Sequence, residues 1–143
     1  MFFQFLYSFI ATFCFSLIFN VKGKKLFLSS LGGAIGWCIY FSLNNKFDEA
    51  CKIFLASLAV TIYSETISIF FNIVVTSILI PSLIPLVPGK GIYFTMISVV
   101  KKNPRDAFMI GMDTIGSAGA IAIAILTISS IVKIIKNYKK NYF

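Results

Sequence analysis

The sequence predicts an all-α integral membrane protein with five transmembrane segments, the fourth of them broken by a Pro/Gly motif. Three observations carry this. Apolar residues fill 58% of the 143 positions and mean hydropathy is +0.90, where soluble domains hold roughly 45–50% apolar residues. Charged residues make up only 13% and cluster between apolar runs. Finally, the stretch Ile80 to Tyr93 sets three prolines (Pro81, Pro85, Pro88) and two glycines (Gly89, Gly91) inside a long apolar run.

The first segment, 2–21, carries Phe2, Phe5, Phe9 and Phe13 at helical spacing, an ordinary lipid-facing or packing surface. It has no basic n-region and no small-residue cleavage site, so it reads as a retained helix rather than a signal peptide. Lys22-Gly23-Lys24-Lys25 ends it. The second segment, 26–43, contains Gly32 and Gly36, small residues four apart that let two helices approach closely. Asn44 to Asp48 is a turn signal. In the third segment, 49–71, Thr61, Ser64, Glu65, Ser68 and Asn72 fall on one helix face. An acidic side chain at the centre of a spanning helix costs roughly 2.5–3.5 kcal/mol on insertion scales. Glu65 is therefore expected to face other helices or water, either as an interhelical hydrogen-bond partner or as a proton-coupling carboxylate.

The fourth segment, 73–100, would be about 42 Å long as one straight helix, more than the roughly 30 Å of a hydrocarbon core. Proline removes a donor and clashes with the preceding turn, so a break is expected within 81–91. Glycine tolerates the dihedrals of a sharp break. Such a break exposes backbone N–H groups at the start of a half-helix, where transporters commonly bind substrate. Asn103-Pro104 then ends a helix and Asp106 suits the first turn of the next. In the fifth segment, 107–135, Asp113 sits two turns inside the helix, on a stripe with Ser117, Ala120, Ala124 and Thr127. It too is expected to face inward. Gly111 and Gly116 add close-packing surface, and the polar tail from Lys133 is expected to end the chain in the headgroups. The chain reads as a single transmembrane domain, 1–143.

With the N-terminus outside and the C-terminus cytoplasmic, Lys22, Lys24, Lys25, Lys133, Lys136, Lys139 and Lys140 fall inside. Lys46, Lys52, Lys101, Lys102 and Arg105 fall outside. The positive-inside rule favours this orientation by seven to five, against the weight of the 101–105 cluster.

The net charge of +8 does not point to nucleic acid, because the lysines flank apolar spans and no soluble domain presents a basic face. Cys14, Cys38 and Cys51 lack CxxC spacing and there is no histidine, so neither a metal site nor Ser-His chemistry is expected. No catalytic residues and no cofactor are assigned. Transport fits the polar equipment better. Glu65 and Asp113 suit a proton relay or cation site, and the amides of Gly89 to Gly91 suit a substrate carboxylate. Lys90 either adds a full charge for that carboxylate or neutralises Glu65 or Asp113.

Pro85-Leu86-Val87-Pro88-Gly89, with Tyr93 four residues on, resembles the signature of the threonine/serine exporter family. Together with the five-segment order and a glutamate late in segment three, the whole chain is similar to that family's small-subunit half. One such two-subunit pair is described as a succinate exporter. The resemblance implies a secondary transporter in the plasma membrane that exports a small carboxylate-bearing metabolite. It implies a larger partner subunit with a hydrophilic domain and five more spans. It also implies a substrate site at Pro85, Pro88, Gly89, Lys90, Gly91 and Tyr93. Lys90 departs from the small or uncharged residue expected after the glycine. The competing reading is a non-transporting scaffold or small channel that forms homo-oligomers through its glycine-rich helix faces.

Overall fold

A computed structural model describes residues 2–43 and 47–142, with side chains through Tyr138. All its regular structure is helical. The order is α1 (Phe2–Ile18), α2 (Lys24–Ser42), α3 (Glu49–Phe71), α4 (Thr76–Leu83), a 3-10 turn (Ile84–Leu86), α5 (Gly89–Val100) and α6 (Pro104–Tyr142).

Helix ends follow local chemistry. Asn20 (φ 56°) and Gly23 (φ 67°) adopt left-handed backbone after α1, with Val21 N–H bonded to the Ser16 carbonyl at 3.0 Å. This stops the first helix earlier than its apolar run. Asn72 takes the left-handed position after α3, and Ser68 Oγ donates to the Ile73 carbonyl at 2.6 Å. At the start of α6, Asn103 Nδ2 donates to Asp106 Oδ2 at 2.6 Å, and Pro104 needs no N–H in the first turn. The polar tail from Lys133 continues this helix to Tyr142, giving about 58 Å of helix at 1.5 Å per residue.

The break in the fourth segment is narrower than the proline pattern suggests. The helix runs through fully buried Pro81, tightens into the 3-10 turn at Pro85, and parts only at Val87 and Pro88. Val87 is extended (φ −61°, ψ 130°), as a residue before proline prefers. The axes on either side differ by 52°.

By length and composition, α3 and α6 are each long and apolar enough to cross a membrane. The bent pair Thr76–Leu86 and Gly89–Val100 makes a third if it is one broken span. At 17 residues α1 is about 26 Å long, short of a roughly 30 Å core. In α2, three serines and three glycines lower the hydropathy of a 19-residue helix.

All of them but the exposed Ser42 instead serve packing, because α2 lies against α1, α3 and α4. Gly32 faces Ser82 and Tyr63, Gly33 faces Thr12, and Gly36 faces Val60, so closely that a methyl group at any of the three would overlap its neighbour. Hydroxyls line the same contacts. Ser8 Oγ donates to the Gly33 carbonyl (3.1 Å), Ser16 and Ser29 hydroxyls share a hydrogen bond (2.8 Å), and Ser82 Oγ reaches the Ser29 carbonyl (2.8 Å). Trp37 Nε1 donates to Gln4 Oε1 at 2.8 Å. Beside this polar seam sits an apolar core of Ala56, Val60, Leu79, Leu83 and Leu86, with Ile121 and Ile125 of α6 packed against it.

The α5 helix is different. It has no buried residue and, among the described residues, its main chain packs against α6 alone. Gly91 meets Thr114 there, and Gly111 meets Thr95.

Candidate functional site

The start of α5 is set by Pro88. Gly89 N–H turns back onto the Val87 carbonyl (2.7 Å), and Ile92 N–H makes the first helical bond, to the Pro88 carbonyl (3.2 Å). The amides of Lys90 and Gly91 lie between them, in the first turn, where a helix offers no acceptor of its own. Neither Gly89 nor Gly91 has a left-handed φ, so the break does not depend on glycine dihedrals. Their roles are spatial. A Cβ at Gly89 would meet nothing within 4 Å, whereas one at Gly91 would strike the Thr114 side chain.

This helix start opens into a cleft of about 500 Å³ between α2, α3, α5 and α6. Pro88, Lys90, Gly91 and Phe94 form one side, with Ile110, Asp113, Thr114 and Ser117 of α6 beside them. Lys90 Nζ lies 5.9 Å from the centre of the Phe94 ring. Asp113 is exposed to the cleft, and its carboxylate makes no ion pair or hydrogen bond among the described residues.

The opposite wall is Tyr40 and Glu49. Glu49 is held on both oxygens. Lys52 Nζ lies 2.6 Å from Oε2, and the Tyr40 hydroxyl donates to Oε1. Lys52 is itself buried and stands 5.2 Å over the Tyr40 ring. Sequence reasoning missed this group because Glu49 and Lys52 sit next to a turn signal and read as boundary charges. The usable signal was their opposite charge at i, i+3 spacing in the first turn of a membrane-like segment.

The other sequence-predicted residues lie elsewhere. Pro85 lines a separate groove with Gln4, Tyr7 and Trp37. Tyr93 points outward, 61% exposed, edge-on to Phe94. Glu65 is 16 residues along α3 from Glu49, roughly 24 Å at helical rise. It is buried against α6, where Ser129 Oγ donates to Oε1 (3.1 Å) and Lys136 Nζ lies 3.8 Å from Oε2. The cation beside Glu65 is thus Lys136, while Lys90 shares its cleft with Asp113. Gly116 has open space where its side chain would be. No group of three or more potential metal ligands occurs among the described residues.

A family model described as the threonine/serine exporter ThrE matches residues 4–131. The chain belongs to the threonine/serine exporter family. The matched range runs from the first turn of α1 to Ile131 and takes in the cleft, the break and Glu65, while Lys136 lies beyond it. No curated protein and no solved structure matches this exporter-family chain. Family membership and the long apolar helices together make it a membrane protein of a transport family.

Proposed function

We propose that this chain is the membrane subunit of a secondary transporter that exports a small carboxylate-bearing metabolite, and that the cleft at the α5 start is its substrate site. The observation that carries the reading is that one cleft combines free helix-start amides, Lys90 and an unpartnered Asp113. The substrate carboxylate meets the amides of Lys90 and Gly91, helped by the helix dipole and by charge-assisted hydrogen bonds. A zwitterionic amino acid, threonine or serine, fits this arrangement better than a dicarboxylate such as succinate. Its ammonium pairs with Asp113, whereas a second carboxylate would meet like charge there.

Glu65 serves proton coupling in this reading. Family resemblance supports five spans in the plasma membrane, with the N-terminus outside and the C-terminus cytoplasmic. It also supports a larger partner subunit with a hydrophilic domain, and the thinly covered α5 offers such a partner a surface. The scaffold alternative is less well supported, because the close-packing faces of Gly32 and Gly36 are occupied within the chain.

The test is efflux from proteoliposomes loaded with threonine, serine or succinate, with and without the partner. Saturable efflux of the amino acids that is abolished by Asp113→Asn supports the reading. Efflux of none of the three, or equal efflux by the variant, overturns it.

A further inference from the structure

A second cavity, of about 450 Å³, lies away from the cleft, where the α1–α2 turn meets the start of α4. The left-handed residues Asn20 and Gly23 fold that turn back over the helix ends. They bring Asn20, Lys22 and Lys25 against Thr76 and Ser77. Lys22 is exposed and Lys25 half-buried, and neither makes an ion pair among the described residues. Neither Thr76 nor Ser77 uses its hydroxyl in a hydrogen bond among the described residues. The chain has five acidic residues, Asp48, Glu49, Glu65, Asp106 and Asp113, and none lines this cavity. Two cations and two hydroxyl donors therefore converge on a space with no counter-charge. Phe19 and Ile80, each about half exposed, flank it with apolar surface.

We propose that this cavity binds the phosphate of an anionic phospholipid headgroup, with the lipid's acyl chain lying along Phe19 and Ile80. Lysine and hydroxyl donors suit phosphate oxygens, and basic pockets between membrane helices hold such headgroups. The apolar flank distinguishes an amphiphile from a free phosphate, which would make no use of it. Neither Glu65 nor any residue of the cleft takes part, so the inference stands apart from the substrate assignment.

The experiment is native mass spectrometry of the full chain in nonionic detergent, titrated with phosphatidylglycerol or with phosphatidylcholine of the same acyl chains. Parallel arms add inorganic phosphate or glycerol phosphate as competitors. Wild type should retain phosphatidylglycerol in preference to phosphatidylcholine. The double variant Lys22→Gln/Lys25→Gln should weaken retention about thirtyfold, given two lost lysine–phosphate attractions. Lys101→Gln/Lys102→Gln removes the same charge at the α5–α6 turn and should leave retention unchanged. Thr76→Val/Ser77→Ala, which keeps every charge, should also weaken it. Failure of the soluble phosphates to displace the lipid at matched concentration confirms the lipid as ligand. Displacement by them assigns the site to free phosphate and overturns the lipid proposal. Equal retention of both lipids, or equal loss in the two lysine double variants, overturns the site altogether.

Discussion

Ser129 of α6 donates a 3.1 Å hydrogen bond to Glu65 of α3, and this contact fixes the one buried carboxylate of the bundle interior against the longest helix. Glutamine at position 65 keeps an acceptor for Ser129 and removes the charge. Glu65→Gln should leave the protein in the membrane at normal level and remove the dependence of efflux on the pH gradient. Vesicle efflux at imposed gradients measures this, and an unchanged dependence would reduce Glu65 to a packing role.

Lys90 and Asp113 share a cleft, so their substitutions should differ in kind. Lys90→Ala should raise the half-saturating substrate concentration about ten- to hundredfold, the range expected for a charged hydrogen bond of about 1.5–3 kcal/mol. If Lys90 only balances Asp113, the double variant Lys90→Ala/Asp113→Asn recovers what the single change lost. Concentration-dependent efflux of the three variants separates the two outcomes.

Gly89 and Gly91 are neighbours in the motif but not in their surroundings. Gly89→Ala should leave thermal stability unchanged, while Gly91→Ala should lower it, because its methyl group enters the space of Thr114. Overpacking of this kind costs about 1–3 kcal/mol. Thr114→Ala should restore most of that loss, and melting of the detergent-solubilised variants reads it. The bulkier Gly89→Val should reduce efflux without lowering the melting temperature, since an added Cβ meets nothing within 4 Å while a branched side chain next to the Lys90 amide would crowd a bound carboxylate.

At the α1–α2 seam, Gly33→Ala should be more damaging than any surface change in α1. The added methyl would come within 2.8–2.9 Å of Thr12 Cγ2 and Cβ, costing about 1–3 kcal/mol. Thr12→Ala should recover part of this, as expected for two residues in direct contact. Additive losses in that double-variant cycle would show that the two side chains do not meet.

The order of helices, the helix boundary at Asn103-Pro104 and the existence of a break were all legible in the sequence, because proline, asparagine and apolar periodicity act locally. The exact site of the break was not. Pro81 sits in a helix buried against α2, where packing outweighs the lost Ser77 carbonyl bond, whereas Pro88 follows a residue free to extend. The cleft was half legible. Lys90 and Asp113 stood out as charges within apolar runs, but only the fold brings Tyr40, Glu49 and Lys52 opposite them. The seam of Ser8, Thr12 and Ser16 was hidden by the phenylalanines around it. Its four-residue spacing marks the protein-facing side of α1, while several of the phenylalanines are left on the outside.

The placement of α5 has one more consequence. Tyr40 and Glu49 stand on α2 and α3, and Asp113 on α6, which is itself seated on α3; Lys90 stands on α5, which among the described residues packs against α6 alone. The separation of Lys90 from the Tyr40–Glu49 wall is accordingly set by the angle at which α5 leaves the break. A few degrees of rotation at Val87 and Pro88 would carry Lys90 away from Tyr40 and Glu49 at the expense of α5–α6 contacts, while the packing of α6 on α3 stayed in place. In such a design, rigidity at the centre and a narrow joint at the edge divide the work. The core, with α6 seated on it, defines where Tyr40, Glu49 and Asp113 stand, and the joint sets the place of Lys90 opposite them.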